Sequence, residues 1–404
     1  MIASPPLALT GAAALPAPPS RALLATAFFI LALCWSPLLP GLLHLDNGLA
    51  FLVAFLLLAA LTIADSGVSV AVATTCALLV VACLLLFVAT GSRTMLARLA
   101  PVPMLLFIAH QAVSVRGLVE RLCDVMSAYV AIGIVLCVIG FVYAWSGGQP
   151  LLSIDNGDGR ENALYLTTMS NFRVGTVIRP SFIYDEPGAF SFLVCAVVAM
   201  RDMLGRPGRL SWFLMLGGLV TLSLTHMLIL MLFLVRRLGF VRSGLIAAVL
   251  VAGALAVVSA QDGLGFVAER FTVDDGKLAG DNRSDQISNF MAVVTPEIFL
   301  FGDIQCQKRP ERGCEEHGDI SSSPVTPTYR AGLAMLLVQL WTHAALVVCA
   351  VRRRAFLFPA LTLSLLLLQR PYFEGYGYGF ITYIVLFHMR GLLARGGVRR
   401  EAAS

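Results

Sequence analysis

Apolar runs of about 17 to 25 residues recur along this 404-residue chain, and an α-helix of that length can cross a hydrocarbon layer of about 30 Å. Hydrophobic residues make up 58% of the chain and charged residues only 13%, against roughly 25% charged in soluble domains. These features predict an all-α polytopic membrane protein. The net charge of +5 does not indicate nucleic-acid binding, because the basic residues form short clusters between the apolar runs.

The hydropathy pattern predicts about twelve transmembrane helices, and two regions are ambiguous. The run at 99–114 contains two prolines together with His110 and Gln111, so it could be a half-span. The run at 210–235 has arginines at both ends, which favours a tight hairpin that turns near 223–226. The predicted spans are 22–40, 48–64, 68–90, 99–114, 126–146, 186–202, 210–222, 224–236, 243–260, 329–350, 355–369 and 379–391.

Arginine clusters predict the orientation, since loops on the cytoplasmic side are enriched in Lys and Arg. Most of these clusters and both termini fall on one side, which we expect to be cytoplasmic. Arg93 and Arg98 fall on the outer side and conflict with the rule. The clusters on the cytoplasmic side are 201–209, 236–242, 352–354 and 390–400.

Two long segments then fall on the outer side, and the second contains half of the acidic residues of the chain. Loops of this length are seldom mere connectors. Within the second, the stretch at 288–302 is apolar enough to lie in the membrane interface or to dip into the protein. The predicted division is a disordered cytoplasmic tail at 1–21, a transmembrane bundle at 22–146, outer segments at 147–185 and 261–328, central helices at 186–260, C-terminal helices at 329–391, and a cytoplasmic tail at 392–404.

Cysteines carry little functional information here. Seven of the nine lie in or beside apolar spans, where cysteine is a typical small core residue. Cys306 and Cys314 lie in the second outer segment at a spacing that allows a disulfide in an oxidising compartment. Since His317 is the only nitrogen ligand near them, a metal site is not indicated. Phosphate-loop, GxSxG and HExxH motifs are also missing from the sequence.

The stretch RPSFIYDEPGAFSFL (179–193) places charges at the start of an apolar helix, where charge is costly. Arg179, Asp185 and Glu186 could belong to a solvated turn that caps a helix beginning near Pro187. Alternatively, they could line a binding site at the membrane surface.

The same stretch resembles the R-x-x-G-x-x-x-[DE]-P-[NG] segment of the O-antigen polymerase and O-antigen ligase superfamily, with Ser181–Phe182 where the pattern has x-Gly. GDNRSDQISNFMAVVTPEIFLFGDI resembles the family's S-R-x-x-x-W…N-P-x-x-G-x-G segment, with Arg283 as its arginine but no following Trp. HGDISSSPVTPTYRAG resembles its H-N-x-[YF]-L…G segment, with His317 as the histidine and Gly318 in place of Asn. The resemblance covers roughly residues 170 to 350.

The resemblance implies a C-type glycosyltransferase of the bacterial inner membrane that uses a polyprenyl-diphosphate-linked glycan as donor and needs neither metal nor cofactor. An anionic diphosphate requires fixed positive charge, for which Arg179 and Arg283 are the candidates. The attacking sugar hydroxyl requires a base, for which His317, Asp185 and Glu186 are the candidates. The implied partners are a lipid-linked oligosaccharide and bilayer lipid, together with a flippase and a chain-length regulator.

Further candidates lie in QRPYFEGYGYG (369–379), where Arg370, Tyr372 and Glu374 could contact sugar rings. An interfacial aromatic belt accounts for the tyrosines almost as well. The other candidates have structural alternatives too: an ion pair or an interfacial anchor for the two diphosphate arginines, helix capping for the glutamate, and a solvated loop for the histidine.

The leading functional hypothesis is a polymerase that joins lipid-linked repeat units into an exopolysaccharide, a capsule or an O-antigen. A ligase that transfers finished glycan to lipid A core uses the same donor, so the sequence does not separate the two. A transporter or flippase is the more distant alternative. Transporters usually show internal repeats with broken helices at matching positions, and this sequence shows no such symmetry.

Overall fold

The computed structural model describes nearly all of the region from residue 69 to residue 401, with several gaps. The predicted spans at 22–40, 48–64 and 243–260 lie wholly or largely outside the described residues, as do Cys306, Cys314 and His317. The described ranges are 69–91, 93–155, 161–174, 176–245, 282–303, 323–375 and 377–401, with residues 20, 23–24, 27, 53, 55–60, 63, 67, 273–274, 277–278 and 320.

Most of the structure is helical (76%), and among the residues that it describes four helical segments are long and apolar enough to cross a membrane, which supports the predicted membrane class. Each predicted span within the described ranges overlaps a helix, but the total of twelve stays a prediction. The four segments are Val70–Thr90, Met95–Ser114, Leu118–Trp145 and Thr326–Arg352. The run at 99–114, predicted as a span that could be a half-span, belongs to a segment of 20 residues.

The described helices are numbered in chain order. They are α1 (Val70–Thr90), α2 (Arg93–Leu99), α3 (Pro101–Ser114), α4 (Leu118–Trp145), α5 (Pro187–Met203), α6 (Arg209–Gly217), α7 (Leu224–Leu238), α8 (Asn282–Val293), α9 (Pro296–Phe301), α10 (Thr326–Arg352), α11 (Leu357–Gln369) and α12 (Tyr378–Glu401). Short 3₁₀ turns at Gly218–Thr221 and Arg354–Phe356 follow α6 and precede α11.

Helix α5 lies at the centre of the bundle, where α4, α6, α7, α11 and α12 pack around it. Every residue of α5 except Asp202 is buried, because its side chains are apolar or small on all sides. Pro187 occupies the first turn, where the missing N–H group has no helical partner to lose. The 17 residues of α5 span about 25 Å, close to the thickness of a hydrocarbon layer.

At the C-terminal end of α5, the charged residues form ion pairs and hydrogen bonds. Asp202 forms salt bridges with Arg237 and Arg236. The Arg201 guanidinium is buried and donates from Nε to the hydroxyl oxygen of Ser211 at 3.0 Å. The structure thus brings arginines from two of the four clusters, 201–209 and 236–242, together at one end of α5.

The predicted break in the 210–235 run is confirmed. The 3₁₀ turn after α6 ends at Thr221, Leu222 follows it with a φ of 51°, and α7 begins at Leu224. His226 joins the two halves, because its Nε2 lies 2.7 Å from the carbonyl oxygen of Met215. A Cβ on Gly218 would lie 2.3 Å from the imidazole ring, so this close approach requires glycine.

The first outer segment contains a small sheet that the all-α prediction missed. Strands β1 (Leu152–Asp155), β2 (Glu161–Tyr165) and β3 (Thr168–Ser170) form an antiparallel sheet in the order β1-β2-β3. In its register, Leu152 lies opposite Leu164, and Tyr165 lies opposite Thr168. Shorter pairs join β4 (Arg173–Val174) to β5 (Val177–Ile178), and β6 (Val273–Asp274) to β7 (Lys277–Leu278).

The tip of the β2–β3 hairpin packs on α4. The hydroxyl of Thr167 donates to the Leu136 carbonyl at 2.6 Å, and a Cβ on Gly140 would lie 2.4 Å from a methyl carbon of Thr168. Because no side chain intervenes at Gly140, the hairpin backbone sits directly against the helix. This contact holds the first outer segment at one end of the bundle.

Helix α10 is kinked where α9 packs against it. Gly332 has a φ of 67° and a ψ of −159°, and a Cβ there would lie 2.3 Å from the Leu300 carbonyl oxygen. Asp303 secures the same contact, since its N–H donates to the Tyr329 carbonyl at 2.8 Å and its carboxylate accepts from the Tyr329 hydroxyl at 2.7 Å. The end of the apolar stretch 288–302 therefore packs against the kink, whereas most of the stretch, including Met291 and Phe299, is exposed on the surface.

Gly332→Ala is expected to destabilise the protein strongly. The backbone conformation of Gly332 is open almost only to glycine and costs another residue about 1–3 kcal/mol, and the clash with the Leu300 carbonyl adds about 1–3 kcal/mol. Gly205→Ala is the matched control, because Gly205 has a φ of 68° but open space around a Cβ. Melting temperatures in detergent should fall further for Gly332→Ala, and equal losses in both variants would show that the contact with α9 contributes nothing.

Candidate functional site

The segment that precedes α5 is fixed by hydrogen bonds to the β2–β3 hairpin. Ser181 is fully buried, and its hydroxyl contacts the carbonyl oxygens of Met169 and Tyr184 at 2.9 and 2.7 Å. The Tyr184 hydroxyl lies 3.0 Å from the hydroxyl of Tyr129 on α4. The stretch 179–186, which could have been a solvated turn, is therefore a connection held in place by buried polar contacts.

Phe182 gives this connection its sharp turn. Its φ is 59°, a left-handed conformation that glycine adopts most easily and bulky residues rarely adopt. The Thr168 hydroxyl accepts from the Phe182 N–H at 2.8 Å, and the Phe182 ring packs 5.5 Å from that of Phe190. Packing and hydrogen bonds thus maintain a conformation that is unfavourable for an isolated residue.

Glu186 and Arg370 form an ion pair at the N-terminal end of α5. Glu186 is the N-cap residue of the helix, and Arg370 comes from the loop between α11 and α12. The Arg370 residue is only 8% exposed, and its Nη2 would lie 2.8 Å from a Cβ on Gly188. Arg370 was expected to contact sugar, but the structure places it below the surface, where it orients Glu186.

Asp185 lies next to this ion pair, and the pKa of its carboxyl is shifted. Its side chain is partly accessible, yet desolvation by the surrounding protein raises the pKa of its carboxyl above the ordinary value. The nearby charge of Arg370 opposes the rise, and the charge of Glu186 adds to it. A carboxylate that is partly accessible and more basic than usual is a better proton acceptor than an ordinary carboxylate.

Arg179 lies at the other end of the same connection and is half-buried. Its Nη2 donates to the Leu222 carbonyl at 3.3 Å, and its guanidinium lies 5.7 Å from the centre of the Phe172 ring. The break between α6 and α7 therefore supplies a carbonyl that positions this arginine. Arg283, the other predicted diphosphate ligand, lies in the first turn of α8 and is also half-buried.

Tyr372 and Glu374 line an open cleft beside the loop that contains Arg370. We call it the Arg98 cleft; it is a shallow, partly open depression in the surface and not an enclosed pocket. Its lining comprises Arg98, Thr326, Pro327, Arg330, Ala331, Met335, Pro371, Tyr372 and Glu374.

Arg98 and Arg330 are cleft residues that the sequence did not identify as candidates. Arg98 forms a salt bridge of 2.7 Å with Glu374, and Arg330 lies directly before the kink of α10. The signal for Arg98 was its conflict with the positive-inside rule, and the structure pairs it with an acidic residue. For Arg330 the sequence offered only Gly332, two residues further on, which marks the kink.

The predicted site residues thus fall into three groups. Asp185, Glu186 and Arg370 come together at the N-terminal end of α5, and Tyr372 and Glu374 line the neighbouring cleft. The two predicted diphosphate arginines lie on separate elements, and His317 lies outside the described residues. In the part of the chain that the structure describes, no three His, Cys, Asp or Glu residues are grouped as a metal site.

Comparison with known proteins adds no relative. No family model, no curated protein and no solved structure matches this chain.

Proposed function

We propose that this protein is a polysaccharide polymerase that joins polyprenyl-diphosphate-linked repeat units at the periplasmic face of the bacterial inner membrane. The observation that carries the proposal is the group of Asp185, Glu186 and Arg370 at the end of a buried helix in an apolar bundle. Charged groups at membrane depth are costly, which favours a functional reason for retaining them. A lipid-linked glycan has the matching chemistry, an apolar tail joined to a polar head.

In this proposal Asp185 is the general base. The hydroxyl oxygen of the acceptor sugar attacks the anomeric carbon of the donor, and the bond from that carbon to the diphosphate oxygen breaks. The electron pair of the broken bond leaves with the polyprenyl diphosphate, and Asp185 takes the hydroxyl proton. The raised pKa of Asp185 favours this step, whereas the Glu186 carboxylate is engaged by Arg370 and orients the site.

Arg179 and Arg283 are the proposed contacts of the diphosphate. The leaving group is already anionic, so it requires electrostatic stabilisation more than protonation. Arginine provides this charge in a planar fork that does not titrate. The conformation of Phe182 also supports the family resemblance, because its φ of 59° is one that glycine favours, and Phe182 stands where the family pattern has Gly.

Deletion of the gene in the source organism tests the proposal. Mass spectrometry of lipid extracts should then show polyprenyl diphosphate carrying a single repeat unit, and externally added glycosidase should remove that glycan from spheroplasts. The reason is that repeat units still reach the outer face but are no longer joined.

The other functional classes predict different lipids. Loss of a ligase would leave polyprenyl diphosphate that carries long polymer. Loss of a transporter would leave single repeat units that glycosidase cannot reach. Either pattern, or an unchanged lipid extract, would contradict the polymerase proposal.

A further inference from the structure

We infer that Arg98 is a positioning residue for the site: its ion pair with Glu374 clasps the 370–375 loop across the Arg98 cleft. The inference rests on the proposed function only for its activity measurement. The clasp itself is a structural claim that can be tested without any substrate.

The 370–375 loop is attached to the bundle at both ends. At its start, Arg370 pairs with Glu186 at the N-terminal end of α5. Near its end, Glu374 pairs with Arg98 of α2. Tyr372 lies between these attachments and lines the cleft, so both ion pairs together determine where its ring stands.

Helix α2 is a firm support for such a clasp. Met95 and Leu99 on α2 are buried in a cluster with Met335 of α10 and with Phe373 of the loop itself. Phe373 fixes the depth of the loop through apolar packing. The ion pair adds a directional contact on the side of the loop that borders the cleft.

The environment of the pair makes its contribution measurable. The Arg98 side chain is 33% exposed and the Glu374 side chain 11%, so the pair is screened less than a fully exposed one. Arg98 is also one of two arginines that fall on the outer side against the positive-inside rule. The salt bridge with Glu374 compensates the charge of this arginine.

Hydrogen–deuterium exchange of the purified full-length protein in detergent tests the clasp. The loop amides are protected by local bonds, such as Gly375 N–H to the Tyr372 carbonyl at 3.0 Å. Arg98→Gln should speed exchange in peptides covering 371–375 by about fivefold, as expected for an ion pair near the upper end of the exposed range. Arg98→Lys keeps the charge and should retain most of the protection.

The matched control is the ion pair between Arg206 and Asp124, which has a similar length of 2.8 Å and joins the α5–α6 loop to α4. Arg206→Gln should leave exchange at 371–375 unchanged. The decisive variant is the charge swap Arg98→Glu with Glu374→Arg, which restores the pair in the reverse sense. The charge swap should recover both loop protection and polymer formation. Arg98→Gln alone should lower polymer formation by about fivefold.

Each result decides a separate point. Unchanged exchange in Arg98→Gln would overturn the clasp. A swapped pair that recovers protection but not polymer formation would show that Arg98 contacts the substrate, which would overturn the positioning role. If deletion of the gene does not accumulate single repeat units, the proposed function fails, while the exchange result still decides whether the clasp exists.

Discussion

Asp185→Asn is expected to lower polymer formation by about 10²–10⁴-fold, the usual contribution of a positioned general base. The amide has nearly the same shape as the carboxyl but cannot take the hydroxyl proton. The measurement is the polymer ladder on a gel, with the amount of protein in the membrane compared by immunoblot. A wild-type ladder from this variant would remove Asp185 from the mechanism.

Asp185→Asn is expected to lower activity but not stability. The pKa of Asp185 is raised in the folded protein, so its stability contribution is fully present below the unfolded pKa and is lost as pH rises through the folded pKa. At neutral pH the charged carboxylate is therefore a cost to folding, which asparagine removes. The melting temperature of Asp185→Asn should equal or exceed that of the wild type at neutral pH, and the difference should shrink at acid pH.

Asp124→Asn provides the control for this pair of measurements. Asp124 is an exposed carboxylate of α4 that pairs with Arg206 in the loop between α5 and α6. Its replacement should change neither the ladder nor the melting temperature appreciably, since exposed pairs contribute about 0–1 kcal/mol. Loss of activity without loss of stability is typical of a functional carboxyl, whereas a structural one would lose both together.

Arg179→Ala and Arg283→Ala should each abolish visible polymer while the protein still accumulates in the membrane. Losing one charge-assisted contact to a leaving group in a partly dehydrated site typically costs about 10²–10³ in rate. Lysine at either position should rescue poorly, because a point charge cannot form the bidentate contact. The measurement is polymer length by gel for the four single variants, with membrane levels checked by immunoblot.

Arg173→Ala is the matched control, since Arg173 belongs to the same outer segment but is exposed and contacts Gln149 and the Tyr165 ring. It should give a wild-type ladder. Full rescue by lysine at position 179 would demote Arg179 to an anchor of the α6–α7 break, where its guanidinium contacts the Leu222 carbonyl. Normal ladders from both alanine variants would defeat the diphosphate assignment.

Local features of the structure were predictable because their causes are local. Apolar runs located the helices, Pro187 located the start of α5, and arginines at both ends of the 210–235 run indicated a break there. The charged stretch before α5 was recognised as unusual for the same reason, since the cost of charge beside an apolar helix depends only on neighbouring residues. Short strands such as β3, with three residues, were missed because so few residues show no clear alternation.

The composition of the site was decided by tertiary structure. Glu186 and Arg370 are 184 residues apart in the chain, and Arg98 and Glu374 are 276 apart. Helix α5 is apolar on all sides, so no face of it indicates which helix packs there or which loop meets its end. The sequence by itself determined that charges stand at the end of an apolar helix; only the packing of the bundle determined which charges meet, because ion-pair partners are chosen by proximity in space.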